Sequence, residues 1–149
     1  FRGTVFRQTM FAEFEHHIHL MAQEGEALTA EKLTETYYDL NRKYFGEDVI
    51  SDEEIGLEWA RIPHFYYNYY VYQYATGYSA ATSLSKQILE EGSTAVERYI
   101  TFLKAGSSDY PIEVLKKAGV DMTTKQPIFD AFDVFENKLK QMETLLLNR

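Results

Sequence analysis

The chain has 149 residues, of which 45% are hydrophobic and 26% are charged, so it is long enough for one globular domain, residues 1–149, and too short for two. The net charge of −8 without a basic stripe excludes nucleic acid as a partner, and the lack of an apolar run of about 18 residues excludes a membrane helix. The absence of cysteine excludes disulfides and thiolate metal sites and agrees with a cytoplasmic location.

Helical spacing of apolar residues begins at the start of the chain. Phe6, Met10 and Phe14 recur at intervals of four, in a first helix that is predicted to run to about Gly25. The opening FRGTVFRQTM has neither an initiator Met nor an N-cap residue before these positions. We therefore expect this chain to be a piece of a longer protein.

A second helix is predicted to follow Thr29 as its N-cap and to end at Gly46, a residue type that favours a helix C-terminus. Residues 47–60 are acidic and irregular, which predicts a connector with one short helical turn. A long helix is then predicted from Pro63 to Gly92, because proline is tolerated in a first turn. This helix would carry the tyrosine-rich part of the sequence.

Further helices complete an all-α helical bundle. Ser93 is predicted to cap a helix that Gly106 ends, and SSDYPIEVLKKAG predicts a short helix with proline in its first turn. The last helix is predicted to begin near Pro127. Its apolar residues alternate in spacings of four and three and form a seam, which consists of Ile128, Phe132, Phe135, Leu139, Met142 and Leu146.

One cluster in the first helix has the residue types of a metal site. Glu13 and His16 form an E-x-x-H pair, and His19 shares the helix face of His16. A di-iron bundle needs a second such pair, but the remaining candidate, His64, has Arg61 at the required glutamate position. We therefore predict no metal ligand in this chain and keep a carboxylate-bridged metal bundle as a weaker alternative.

The stretch RIPHFYYNYYVYQYATGYSAA, residues 61–81, holds seven of the 12 tyrosines. One interpretation is packing, in which three residues spaced i, i+4 and i+8 enter the core with their hydroxyls at the surface, namely Tyr66, Tyr70 and Tyr74. The other is a site, in which a second helix face carries hydrogen-bond donors for an oxyanion, namely His64, Asn68 and Tyr72, with Tyr69 beside Tyr72. Physical reasoning alone leaves both interpretations open.

Three separated segments resemble the C-terminal region of the oligoendopeptidase F family, zinc metallopeptidases of the thimet oligopeptidase superfamily. They are FRGTVFRQTMFAEFEHHIH, RIPHFYYNYYVYQYATGYSAA and GSSDYPIEVLKKAGVDM, and the resemblance covers essentially the whole chain. It implies a mostly helical catalytic domain around a deep channel, hydrolysis of short peptides, and zinc as the cofactor. The family's zinc ligands and general base precede the first residue of this chain, so none is carried over.

The resemblance also implies roles for the tyrosine-rich stretch. In that family a loop histidine and tyrosines on the next helix line the cleft opposite the metal, contact substrate and stabilise the oxyanion. The Y-Y-x-Y pattern carries these catalytic roles to Tyr69 and Tyr72, with His64 as the upstream histidine. The loop is shorter than in the thimet branch, so Tyr66 or Tyr67 is an alternative for the same roles. Three residues are assigned to substrate binding, namely Tyr66, Tyr67 and Asn68.

These implications give a working hypothesis. The chain is part of a zinc endopeptidase and supplies the cleft wall, with short peptides and the N-terminal remainder of the same enzyme as its partners. The chain alone is expected to be inactive and to pair with a second copy through exposed apolar surface. The alternative is a free-standing helical module that binds peptides or a protein through an aromatic cleft.

Overall fold

The computed structural model describes residues 1–148, and in these residues there are helices but no β-strand. Two 3₁₀ helices, Glu53–Arg61 and Pro63–Tyr66, and a π-helical turn, Arg2–Phe6, accompany the α-helices. The α-helices are α1 (Arg7–Gln23), α2 (Ala30–Phe45), α3 (Tyr72–Glu91), α4 (Ser93–Ala105), α5 (Pro111–Lys117) and α6 (Gln126–Leu147). The prediction of an all-α fold is confirmed.

The chain divides into two compact units, the first comprising Phe1–Ala75 and the second beginning at Thr76. The division falls within α3. That residues 1–149 make one domain stays a prediction. Of the helices described, none combines the length and the apolar character that a bilayer crossing requires.

The first unit has an aromatic core in which α1 packs against α2. The ring of Phe14 lies 5.2 Å from that of Tyr37 in an edge-to-face arrangement, which is the favoured geometry for two aromatic rings. The ends of α2 are as predicted, since the Thr29 hydroxyl accepts a hydrogen bond from the Lys32 amide and Gly46 follows with a φ of +77°. The buried apolar residues of this core are Met10, Phe11, Phe14, Tyr37, Leu40, Ile62 and Val71.

The connector after α2 is a nine-residue 3₁₀ helix, Glu53–Arg61, rather than a single turn. It lies against α2 so closely that a Cβ on Gly56 would be 2.9 Å from the Thr34 Cγ2 atom and 3.1 Å from the Thr34 carbonyl oxygen. Glycine is therefore required at position 56. The indole of Trp59 donates a hydrogen bond to the Thr34 hydroxyl at 3.3 Å and fixes the same contact.

The carboxylate of Glu58 is the polar centre of the first unit. Its side chain is 4% exposed and accepts hydrogen bonds from the Tyr37 hydroxyl at 2.7 Å, from the Arg7 guanidinium at 2.5 Å and from the Arg61 guanidinium. Burial alone would raise the pKa of Glu58, but the hydrogen bonds from Tyr37 and Arg7 and the charges of both arginines outweigh it, so the pKa is lowered. Burial and the bond to this carboxylate raise the pKa of Tyr37.

The second unit has a core of small and medium-sized residues, which are Ala80, Leu84, Ala118 and Val120. Helix α6 is attached to α3 by Asp130, whose carboxylate accepts hydrogen bonds at 2.8 Å from both Ser83 and Lys86. Burial opposes ionisation of Asp130, but these donors prevail and its pKa is lowered. Helices α4, α5 and α6 end or begin as predicted at Gly106, Pro111 and Gln126.

Two predictions about the helices, on the cap of α4 and on the helix from Pro63, are wrong. Ser93 is the first residue of α4 and not its cap, because Gly92 occupies the N-cap position with a φ of +69° and no side-chain hydrogen bond. Five of the six residues in the apolar seam of α6 are solvent-exposed, from 38% at Ile128 to 60% at Leu146, and Phe135 is half-buried. The helix proposed from Pro63 to Gly92 is interrupted, because Asn68 and Tyr69 have φ values of +47° and +59° that an α-helix cannot contain.

Candidate functional site

The tyrosine segment, residues 64–74, is attached to the core of the first unit by apolar residues before and within it. Ile62 is 8% exposed just before the segment, and Val71 is fully buried within it. The ring of Phe65 packs against those of Phe11 and Phe14 at 5.7 Å and 5.1 Å. Because apolar residues at these three positions turn inward, the tyrosines between them turn outward.

A left-handed turn at Asn68 and Tyr69 separates the 3₁₀ helix from α3. Asparagine adopts this backbone conformation more readily than other non-glycine residues, whereas for tyrosine it costs roughly 1–2 kcal/mol. The turn is held by Glu15 of α1, whose carboxylate accepts a hydrogen bond from the Tyr69 amide at 2.6 Å. Glu15 is 1% exposed, so its carboxylate is removed from bulk water and needs such a donor.

The imidazole of His64 is surrounded by three tyrosine rings of the segment. It stacks on Tyr70 with the ring centroids 5.7 Å apart and an interplanar angle of 10°, and it meets Tyr67 and Tyr74 edge-on at 6.1 Å and 5.7 Å. The Tyr74 hydroxyl and His64 Nε2 also share a hydrogen bond at 3.2 Å. A side-chain hydrogen bond with Tyr70 raises the pKa of the Tyr74 phenol.

Tyr69 lies against a different partner. Its ring is 4.4 Å from that of His19, with an interplanar angle of 30°, and His19 is one helical turn beyond Glu15 on α1. Tyr72 is the first residue of α3 and is 51% exposed. The structure therefore groups His64 with Tyr67, Tyr70 and Tyr74, and does not place Tyr69 in that group.

The tyrosines of the segment are exposed, and the interpretation that they pack into a core is wrong. The exposed fractions range from 36% at Tyr74 to 81% at Tyr66. The helix face proposed for His64, Asn68 and Tyr72 is also wrong, because the left-handed turn ends helical periodicity between them. What remains is a surface of phenol and imidazole groups that can donate hydrogen bonds to carbonyl oxygens and cover apolar groups with their rings.

The metal hypothesis at the start of α1 receives no support. Both oxygens of Glu13 are engaged, one by Lys43 at 2.6 Å and the other by the Tyr44 hydroxyl at 2.7 Å. Burial would raise the pKa of Glu13, but these two donors lower it. Within residues 1–148, no three His, Cys, Asp or Glu side chains are grouped so that they could hold a metal ion.

Sequence reasoning missed four residues that shape the segment: Glu15, His19, Tyr70 and Tyr74. For Tyr70 and Tyr74 the sequence offers only packing, as one of two open interpretations, because both interpretations place the segment on a continuous helix. The Asn68–Tyr69 pair was a usable signal, since asparagine is a common residue in left-handed turns. Nothing local to the segment points to Glu15, which lies 54 residues earlier in the chain.

The second unit contains a separate apolar groove of about 930 Å³. It lies among α3, α4 and α5 and is bordered by residues such as Leu84, Ile88, Tyr99, Phe102 and Leu115. Asp109 is the single charged residue of its lining. Its lining is therefore unlike the tyrosine segment, which offers hydroxyl and imidazole groups.

Comparison with known proteins gives a consistent result across the chain. Residues 2–134 match the sequence profile of Peptidase family M3. The chain is 74% identical over 147 residues to Oligopeptidase PepF of Bacillus subtilis, covering 99% of this chain and 22% of that protein. It is 53% identical to Group B oligopeptidase PepB of Streptococcus agalactiae, covering 98% of this chain and 24% of that protein.

A solved structure supports the same relationship. The crystal structure of oligoendopeptidase-F from Enterococcus faecium superposes on this chain with a TM-score of 0.96 at 56% identity, covering 100% of this chain and 29% of that one. The chain thus spans about a quarter of the length of the relatives it matches.

Proposed function

This chain belongs to Peptidase family M3, and we propose that it forms the substrate-binding wall of a zinc endopeptidase that hydrolyses short peptides. The relatives named above are oligopeptidases, and this chain corresponds to about a quarter of their length. The free-standing binding module is not favoured by this family membership.

One observation carries the proposal: six tyrosines of the tyrosine segment each keep at least 36% of their surface exposed, and the rings of three of them surround His64. An exposed aromatic surface with hydroxyl groups suits a peptide, because the backbone carbonyls need hydrogen-bond donors and the side chains need apolar contact. The segment therefore has the chemistry of a peptide-binding wall.

We assign His64, Tyr69 and Tyr72 to the oxyanion that forms when the scissile carbonyl is attacked. Phenol and imidazole N–H or O–H groups stabilise such an anion when they are held in place before the reaction. The remaining residues of the segment are proposed to bind the peptide backbone and side chains: Tyr66, Tyr67 and Asn68. In this arrangement Tyr70 and Tyr74 hold the His64 imidazole in orientation.

The zinc ion is proposed to be held outside this chain. The side chains of residues 1–148 do not fit as a ligand set for it. In the complete enzyme zinc would supply Lewis acidity toward the scissile carbonyl. We accordingly propose that this chain alone hydrolyses no peptide, with or without added zinc.

The test is the substitution Tyr72→Phe in the full-length enzyme. Loss of one oxyanion donor lowers kcat by about 10²–10³ while the aromatic ring is retained. Zinc content and thermal stability should equal those of the wild type, because Tyr72 is half exposed and removal of its hydroxyl leaves no cavity.

Tyr110→Phe is the matched control, because it also removes a single hydroxyl group. Tyr110 is 80% exposed and lies outside the tyrosine segment. The substitution should leave kcat unchanged. A Tyr72→Phe enzyme with wild-type kcat on a short peptide would remove the assignment of Tyr72.

We also propose that the exposed face of α6 is covered by the rest of the enzyme. Leu139 and Met142 are 43% and 54% exposed on this helix, and apolar surface of this kind favours association. This chain by itself should then form dimers at micromolar concentration, which sedimentation would detect. We also propose that the protein is located in the cytoplasm, with which its lack of cysteine agrees.

A further inference from the structure

The backbone of the tyrosine segment depends on a residue from a distant part of the chain. Asn68 and Tyr69 both have positive φ, and such a pair persists only where neighbouring groups hold it. Ile62 and Val71 anchor the chain in the core before and after the turn. Between these two anchors, the turn itself has a further contact.

That contact comes from one face of α1. The buried carboxylate of Glu15 accepts the Tyr69 amide at 2.6 Å, and an amide donating to a carboxylate makes one of the stronger hydrogen bonds in proteins. Four residues later on the same face, His19 lies against the Tyr69 ring at 4.4 Å. One helix thus holds both the backbone and the side chain of Tyr69.

The backbone conformation at Tyr69 affects where His64 and Tyr72, on either side of it, are placed. His64 precedes the left-handed turn and Tyr72 follows it, so the two are separated by the geometry of the turn and not by a regular helix. A turn that relaxed to an ordinary conformation would rotate the chain between them. Small displacements of donors have large effects on rate, because a misplacement of about 1 Å can cost about a hundredfold.

We propose that Glu15 and His19 are positioning residues for peptide hydrolysis, which hold the left-handed turn and thereby set the distance between His64 and Tyr72. The inference rests on the proposed function of the tyrosine segment. Neither residue needs to touch the substrate for this role. Glu15 acts through the Tyr69 amide, and His19 acts through the Tyr69 ring.

The experiment compares Glu15→Met with Glu15→Gln in the full-length enzyme. Methionine keeps the length of the side chain but removes the acceptor, whereas glutamine keeps an oxygen that can accept from the Tyr69 amide. We expect Glu15→Met to lower kcat by about tenfold to a hundredfold with a smaller change in KM. Glu15→Gln should restore most of the lost kcat.

A second readout does not depend on activity. Hydrogen exchange of the Tyr69 amide should be at least about tenfold faster in Glu15→Met than in wild type, because its hydrogen bond to the carboxylate is gone. Exchange mass spectrometry of peptides that cover residues 67–71 measures this rate. Unchanged exchange in a folded Glu15→Met enzyme would overturn the proposal.

The matched control is Glu13→Gln, which removes a charge from the same helix and weakens the bonds to Lys43 and Tyr44. It should change neither kcat nor Tyr69 exchange. If Glu15→Met does not fold, His19→Leu tests the same proposal. His19 is only partly buried, so its substitution is less disruptive, and we expect kcat to fall severalfold. Wild-type kcat and wild-type exchange in His19→Leu would then overturn it.

The outcomes separate this inference from the proposed function. If Tyr72→Phe is slow and Glu15→Met retains wild-type kcat, the positioning inference fails and the oxyanion assignment stands. If Tyr72→Phe retains wild-type kcat, the oxyanion assignment fails, and exchange at Tyr69 still decides whether Glu15 holds the turn.

Discussion

In the first unit, the hydroxyl groups of two sets of tyrosines have different surroundings. Tyr37 is fully buried and donates to Glu58 at 2.7 Å, and Tyr44 donates to Glu13 at the same distance. Burial raises the pKa of both phenols, as does the hydrogen bond to a carboxylate. The tyrosines of the tyrosine segment instead keep a third or more of their surface in solvent.

The difference shows that one residue type serves stability in one place and stays exposed in another, where we propose that it binds peptide. A buried phenol contributes to folding only when an acceptor is provided, so each of the two core tyrosines is matched by a carboxylate. Three tyrosines of the segment instead contact one another through their rings, Tyr70 with Tyr67 at 6.0 Å and with Tyr74 at 5.5 Å. Their exposed faces remain available to a ligand.

Among the changes that test this contrast, Glu58→Ala is expected to lower the free energy of unfolding most. Removal of the carboxylate leaves the buried Tyr37 hydroxyl without its acceptor and opens a small cavity, at a cost of about 2–3 kcal/mol in the free energy of unfolding. Arg7 and Arg61 can turn to solvent, so they add little. Urea unfolding of the chain measures the change, and a loss below about 0.5 kcal/mol would contradict the importance of the acceptor.

A smaller effect is expected from Tyr37→Phe, compared directly with Tyr66→Phe. Both substitutions delete one hydroxyl, but the first leaves the buried Glu58 carboxylate short of a donor and should cost about 1–2 kcal/mol. Tyr66 is 81% exposed, so its change should stay within about 0.5 kcal/mol. Equal effects in the same urea experiment would abolish the distinction between the two groups.

The smallest effect is expected from pH, because burial and hydrogen bonding oppose one another at Glu58. The pKa of Glu58 is lowered in the folded state, so its contribution to stability is present above its unfolded pKa of about 4.5 and is lost as the pH falls through the folded pKa. Unfolding free energies of wild type and Glu58→Gln should converge as the pH falls below about 4.5. A constant difference from pH 7 to pH 3 would contradict this linkage.

Local signals predicted the two ends of α2 and the starts of α5 and α6 well. Thr29 and Gly46 bound α2 because a side-chain oxygen and a residue tolerant of positive φ satisfy the helix ends without help from elsewhere. The proline-containing starts of α5 and α6 follow from the same local chemistry. Such helix ends depend on residues within one turn and can therefore be predicted from the sequence.

The tyrosine segment and the face of α6 could not be predicted in this way. The turn at Tyr69 is held by a carboxylate 54 residues away, so periodicity within the segment favoured a helix that the tertiary contact prevents. The seam of α6 has the pattern of a packed face, but a pattern does not say which part of the protein will pack on it. In both cases the deciding partner lies outside the stretch of sequence being interpreted.

The hydrogen bond between Glu15 and Tyr69 also bears on the order in which this protein folds. Contacts between residues far apart in sequence form late, because loop-closure entropy must first be overcome. We therefore expect α1 and α2 to associate before the tyrosine segment acquires its native turn, and the turn to be lost first in mild denaturant. An enzyme built in this way would lose activity at a denaturant concentration where most of its helical signal remains.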